Sequence, residues 1–104
     1  MKQIATIIQP GMIDQVVKAI KKVGVGGITV LHAQGQGAAD APLVGQYFSK
    51  ELVLTVVDDS KVEEVLNSIA QVACTGSKGD GKVFVYNVEE ALDICTKERG
   101  PKAL

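Results

Sequence analysis

SKELVLTVVDDSKVEEVLNSIA (residues 49–70) holds both periodicities that decide this fold. Up to residue 59 the apolar side chains alternate. Leu52, Leu54 and Val56 share one face and Val53 and Val57 take the other, the two-residue period of a strand. Past Ser60 the period lengthens. Val62, Val65, Leu66, Ile69, Ala70 and Ala73 recur every three or four residues, which marks one side of a helix. Ser60 and Glu63 form the S-x-x-E pattern of a capping box where the period changes. Asp58 and Asp59 stand where carboxylates suit the positive end of a helix.

Downstream, a glycine-rich loop leads into KVFVYNV (82–88), which reads as another strand. EEALDI (89–94) is expected to form one or two helical turns, and CTKERGPKAL (95–104) is a polar tail. Upstream the order strand, helix, strand occurs a second time. KQIATIIQ (2–9) is an Ile-rich strand ended by Pro10 and Gly11. Met12, Ile13, Val16, Val17, Ile20 and Val23 mark one helix face, and Lys18, Lys21 and Lys22 its wet face. Gly24, Gly26 and Gly27 stop that helix before ITVLHAQ (28–34), a strand. GQGAADAPLVGQY (35–47) has neither period and reads as a loop.

The order is therefore β-α-β, loop, β-α-β, in halves of roughly 35–40 residues. It predicts an α+β, ferredoxin-like βαββαβ fold in one domain, 1–104: a four-stranded antiparallel sheet with both helices on one face. The other face of the sheet is left bare, yet its strands carry apolar residues on both sides, as the adjacent Ile7 and Ile8 show. A bare apolar face predicts burial against other subunits.

Hydrophobic content of 46% and charged content of 22% fit a globular protein of 104 residues. A net charge of -1 gives no electrostatic reason to expect nucleic acid. No apolar run reaches the ~18 residues of a membrane span, so direct membrane insertion is not expected. The opening MKQIATIIQPG lacks the apolar region of an export signal, which points to the cytoplasm. Cys74 and Cys95 lack C-x-x-C spacing and are expected to be reduced, buried small hydrophobes. His32 is the only histidine and has no Cys or His beside it, so no metal site is expected.

GSKGDGK (76–82) meets the first part of a Walker motif. The next residue should be Ser or Thr and should open a helix; it is Val83, and a strand follows. GQGAAD (35–40) fails as a dinucleotide fingerprint, because its last glycine is Asp40. Two readings of the second loop stay open. It is an ordinary connection with lysines in water, or its backbone amides form an anion-binding nest, with Gly79 and Gly81 permitting the angles and Lys78 and Lys82 adding charge.

TGSKGDGKVFVYNVEEAL (75–92) resembles the T-G-x-x-G-D-G-K segment of P-II nitrogen-regulatory signal proteins. IIQPGMIDQVVKAIKKVGVGGITV (7–30) is similar to that family's opening, and Gly35–Gly37 to its Gly-x-Gly at the entry to a long T-loop. The resemblance implies a homotrimer with sheets packed inward and an adenine nucleotide in each cleft between subunits. It also implies a loop that reports the ligand to a protein target, a membrane transporter or an enzyme. By position, Ile7, Thr29, Gly35, Gln36 and Val56 are implied around adenine and ribose, and Gly37, Gly79, Asp80, Gly81 and Lys82 near the phosphates.

Departures from the pattern adjust this. The T-loop region, 36–48, is about eight residues short by comparison with the family pattern, and the family's tip tyrosine has no secure counterpart, Tyr47 being a candidate. The family's Arg and Gln after Gly-x-Gly are Ala38 and Ala39, while its lysine before the third strand persists as Lys50. Its C-terminal arginine clamp reads DICTKE, which puts Asp93 and Cys95 at the arginine positions. Losing two charge-assisted contacts, ~1.5–3 kcal/mol each, disfavours Mg-ATP and leaves ADP, AMP or a cyclic nucleotide as the expected ligand. The alternatives are a trimeric scaffold with a degenerate nucleotide site, or a role in bicarbonate or metal transport. An acylphosphatase-type enzyme needs an Arg after the first strand, and the sole arginine is Arg99. The expectation is thus a regulator with no catalytic residues.

Overall fold

The computed structural model describes residues 1–38, 40, 45 and 47–104. Strands β1 (Lys2–Ile8), β2 (Thr29–Gly35), β3 (Phe48–Val57) and β4 (Gly81–Asn87) form one sheet in the order β2-β3-β1-β4. Every pairing is antiparallel. Helices α1 (Ile13–Lys22) and α2 (Val62–Ala73) pack on each other over one face, which is the ferredoxin-like arrangement.

Alternation decides what each strand buries. Ile4 and Ile8 of β1 and Val53 and Val57 of β3 point to the helices and join Val16, Ile20, Val65 and Ile69 in the core. Each such side chain removed from water contributes about 1.5–3 kcal/mol. Ala70, read on the apolar side of α2, is exposed instead. The opposite sheet face presents Ile7, Leu31, Leu52, Leu54, Phe84 and Tyr86, by the same two-residue parity. Leu31, Phe84 and Tyr86 are exposed in the single chain.

Three local expectations are corrected. The capping box is absent: the Asp58 carboxylate accepts from the Ser60 amide at 3.1 Å and its hydroxyl at 2.7 Å, capping the 3-10 turn Asp59–Lys61 that leads into α2. Ser60 is therefore spent on Asp58, and Lys61 at the α2 N-cap makes no side-chain cap. Residues 89–94 form no helical turn. Leu92 and Arg99 make a β-bridge, and the Asp93 carboxylate accepts from the amides of Cys95 and Thr96 at 3.0 Å each, which favours a tight reverse turn over a helix. Cys74 and Cys95 are both exposed, Cys74 because α2 ends there and Cys95 because it sits in that turn.

Candidate functional site

The loop after α2 is organised around one carboxylate. Asp80 accepts from the Thr75 amide at 2.7 Å and the Thr75 hydroxyl at 2.5 Å, closing residues 75–80 into a compact turn. These bonds, the Thr75 hydroxyl first, hold the Asp80 carboxyl below the usual aspartate range. Gln9 donates its side-chain amide to the Gly79 carbonyl at 2.6 Å and ties the turn to the end of β1. Gly81 has φ +130°, and a β-carbon there would lie 2.0 Å from the Ile7 carbonyl oxygen. Only glycine lets β4 start against β1 at this height. Gly79 has no positive φ, so its backbone angles are open to other residues, contrary to expectation.

This turn faces the end of β2. Between them lies a cleft of about 290 Å³ lined by Ile7, Gly35–Gly37, Gly79, Gly81 and Phe84, with Lys50, Lys78 and Lys82 on its walls. Seven of the ten residues singled out from the sequence therefore meet in one place: Ile7, Gly35, Gln36, Gly37, Gly79, Gly81 and Lys82. Asp80 does not line the cleft; its carboxylate braces the turn behind it. Thr29 pairs with Leu54 and Val56 with Gln3, each six residues along its strand from the cleft end, about 20 Å at strand rise.

Sequence reading missed two contributors. Phe84 follows Lys82 by two residues on the same face, a signal that alternation carries. Asp40 entered the reading only as the residue that spoils a fingerprint. Its carboxylate accepts from the Gly37 amide at 2.7 Å and pairs with Lys50 at 3.1 Å, inside the cleft. His32 does not line this cleft. It lies on the helix side of the sheet against Glu51, with a 2.6 Å contact. Arg99 pairs with Glu90 at 3.3 Å. Tyr47 is exposed just before β3. Ala39, and 41–44 and 46 of the 36–48 region, lie outside the described residues.

Fold and cleft together define a small α+β protein with a lysine-rimmed, glycine-walled recess at one end of its sheet. The chain belongs to the P-II family of regulatory signalling proteins: the family model described as nitrogen regulatory protein P-II matches residues 1–98. It is 40% identical over 112 positions to the nitrogen regulatory protein P-II of Rhodospirillum rubrum, with all of both chains covered. The same figures hold for the protein of that name from Azospirillum brasilense. The nitrogen fixation nifHD region GlnB-like protein 1 of Methanothermococcus thermolithotrophicus is 36% identical over 104 positions, 96% of this chain and 99% of that protein. Against the Rhodospirillum protein, 112 aligned positions and 104 residues leave at least eight that this chain does not fill. Among the described residues no helix is long and apolar enough to cross a membrane.

Proposed function

We propose that this chain assembles as a homotrimer, binds an adenine nucleotide in the cleft between residues 35–37 and 79–82, and regulates a protein target, a membrane transporter or an enzyme, according to the nucleotide bound. One juxtaposition carries the reading: two glycine segments, residues 35–37 and 79–82, far apart in sequence, face each other across a recess with lysines on its walls. Backbone amides in such turns and lysine side chains are the donors that phosphates take. Ile7 and Phe84 supply apolar surface for a base. Thr29 and Val56 lie on the bare sheet face away from the cleft of their own protomer, so their part in the reading belongs to a neighbouring copy packed on that face.

ADP, AMP or a cyclic nucleotide fits better than Mg-ATP. Asp93 is committed to its own turn and offers no clamp for a polyphosphate. The relatives' names tie those proteins to nitrogen regulation, and the same pathway is the first assignment here. The second is a trimeric scaffold, or a regulator of bicarbonate or metal transport; the unfilled loop positions and Ala38 favour it.

Isothermal titration of the purified protein with ATP, ADP, AMP and cyclic AMP tests the reading. One site per chain for at least one of them supports it. No heat and no protection from any of the four would leave the scaffold.

A further inference from the structure

The cleft contains an anion of its own. One oxygen of Asp40 accepts from the Gly37 amide at 2.7 Å and from the Lys50 ammonium at 3.1 Å. Both side chains are partly buried, Asp40 at 16% exposure and Lys50 at 11%, and both line the recess. A glycine-turn amide beside a lysine is the donor pair that a phosphate or carboxylate group would use. Lys78 and Lys82 also line the recess, and neither makes an ion pair among the described residues.

We propose that Asp40 is a built-in competitor and the specificity-determining residue of this cleft: its carboxylate occupies the place where a ligand's outermost anionic group would meet the Gly37 amide and Lys50. A ligand that reaches this place must expel Asp40 and face its charge. A ligand with a short anionic group is held by Lys78, Lys82 and the amides of the opposite turn and never contests it. The cleft thereby selects against triphosphates, and against any second anion seated beside the ligand. The Gly37 amide first, and Lys50 next, hold the Asp40 carboxyl below the usual aspartate range, so it is ionised at neutral pH.

The competing reading gives Asp40 only the closing of the turn that begins at Gly37. Asp40→Asn separates the two. Its side-chain oxygen still accepts from the Gly37 amide, so the turn persists, while the charge that neutralises Lys50 is gone. The choice of nucleotides rests on the function proposed above, so inorganic pyrophosphate serves as a probe that does not. In isothermal titration, Asp40→Asn is expected to tighten ATP and pyrophosphate by about tenfold, the size of one charge-assisted contact, and AMP by less than about threefold. Adding Lys50→Met should cancel the gain, and Asp40→Ala should reproduce it if the asparagine form folds poorly. Equal affinities of wild type and variant for ATP and pyrophosphate, or equal gains for ATP and AMP, overturn the proposal. A pyrophosphate gain with no nucleotide bound to either protein upholds the competitor and overturns the nucleotide reading instead.

Discussion

His32 and Glu51 stand directly opposite each other in the register of β2 and β3 and share a 2.6 Å contact, the histidine side chain 87% exposed and that of Glu51 only 9%. The pair lies on the helix side of the sheet, behind the cleft. The second Glu51 oxygen has no partner among the described residues, which leaves the His32 contact as the side-chain bond that Glu51 makes there. His32→Ala is expected to cost about 1–3 kcal/mol, the desolvation cost of a buried group left unpaired. Adding Glu51→Met should recover most of that loss, since replacing a buried polar group by apolar volume once its partner is gone leaves nothing unpaired. Urea unfolding of the wild type, the single and the double variants reads both effects. A silent His32→Ala would show that the pair carries no stability.

Gly81 and Gly79 should respond unequally to a methyl group. At Gly81 the new carbon meets the Ile7 carbonyl oxygen at 2.0 Å on a backbone of φ +130°. Gly81→Ala should cost more than about 2 kcal/mol and disturb the β1–β4 pairing. At Gly79 the nearest neighbour is the flexible end of Gln9, 3.4 Å away. Gly79→Ala should stay within about 0.5 kcal/mol. Denaturant midpoints for the two variants give the comparison.

Acid should loosen the turns before it unfolds the core. The carboxyls of Asp80 and Asp93 are held below the usual aspartate range, Asp80 chiefly by the Thr75 hydroxyl and Asp93 chiefly by the Thr96 amide. In the folded chain these groups bind fewer protons than in the unfolded one. Their contribution is complete above the unfolded value and lost as pH falls through the folded value. Melting temperature should hold through mild acid and drop from about pH 4 downward. Asp80→Asn should lower it at neutral pH and flatten the acid drop, both visible by circular dichroism.

A charge on the bare sheet face should break the trimer proposed above and leave the protomer folded. Leu31 and Tyr86 lie on that face and are exposed in the single chain. Leu31→Glu and Tyr86→Glu should shift the light-scattering mass from a trimer to one chain of 10.9 kDa with an unchanged far-UV spectrum. A wild type that already runs as a monomer would end the trimer reading.

Much of this fold was legible because its two periods are clean. Leu52, Leu54 and Val56 against Val53 and Val57 placed β3, and Val65, Ile69 and Ala73 placed the buried side of α2. What failed was local competition for hydrogen bonds. Ser60 looked like a helix cap, yet Asp58 two residues earlier captured it. EEALDI carries helix-forming residues, but Asp93 bonded the amides of Cys95 and Thr96 and turned the chain back on itself. The cleft was partly legible for a similar reason. Glycines at 35, 37, 79 and 81 are visible punctuation, whereas the pairing of Asp40 with Lys50 joins residues whose meeting depends on the path of the loop between them.

Along β1, Ile7 and Ile8 both border the cleft, and Ile8 is at the same time buried in the core at 2% exposure. Floor and foundation are thus consecutive residues of one central strand, fixed from behind by packing and from the side by Gly81. Mutational drift has little freedom there: a change that reshapes the floor also disturbs what the helices rest on. The rim formed by Gln36, Gly37, Ala38 and Asp40 carries no such burden. Divergence in ligand preference among descendants of this chain should therefore accumulate at the rim, leaving the Ile7–Ile8 step as an inherited constant.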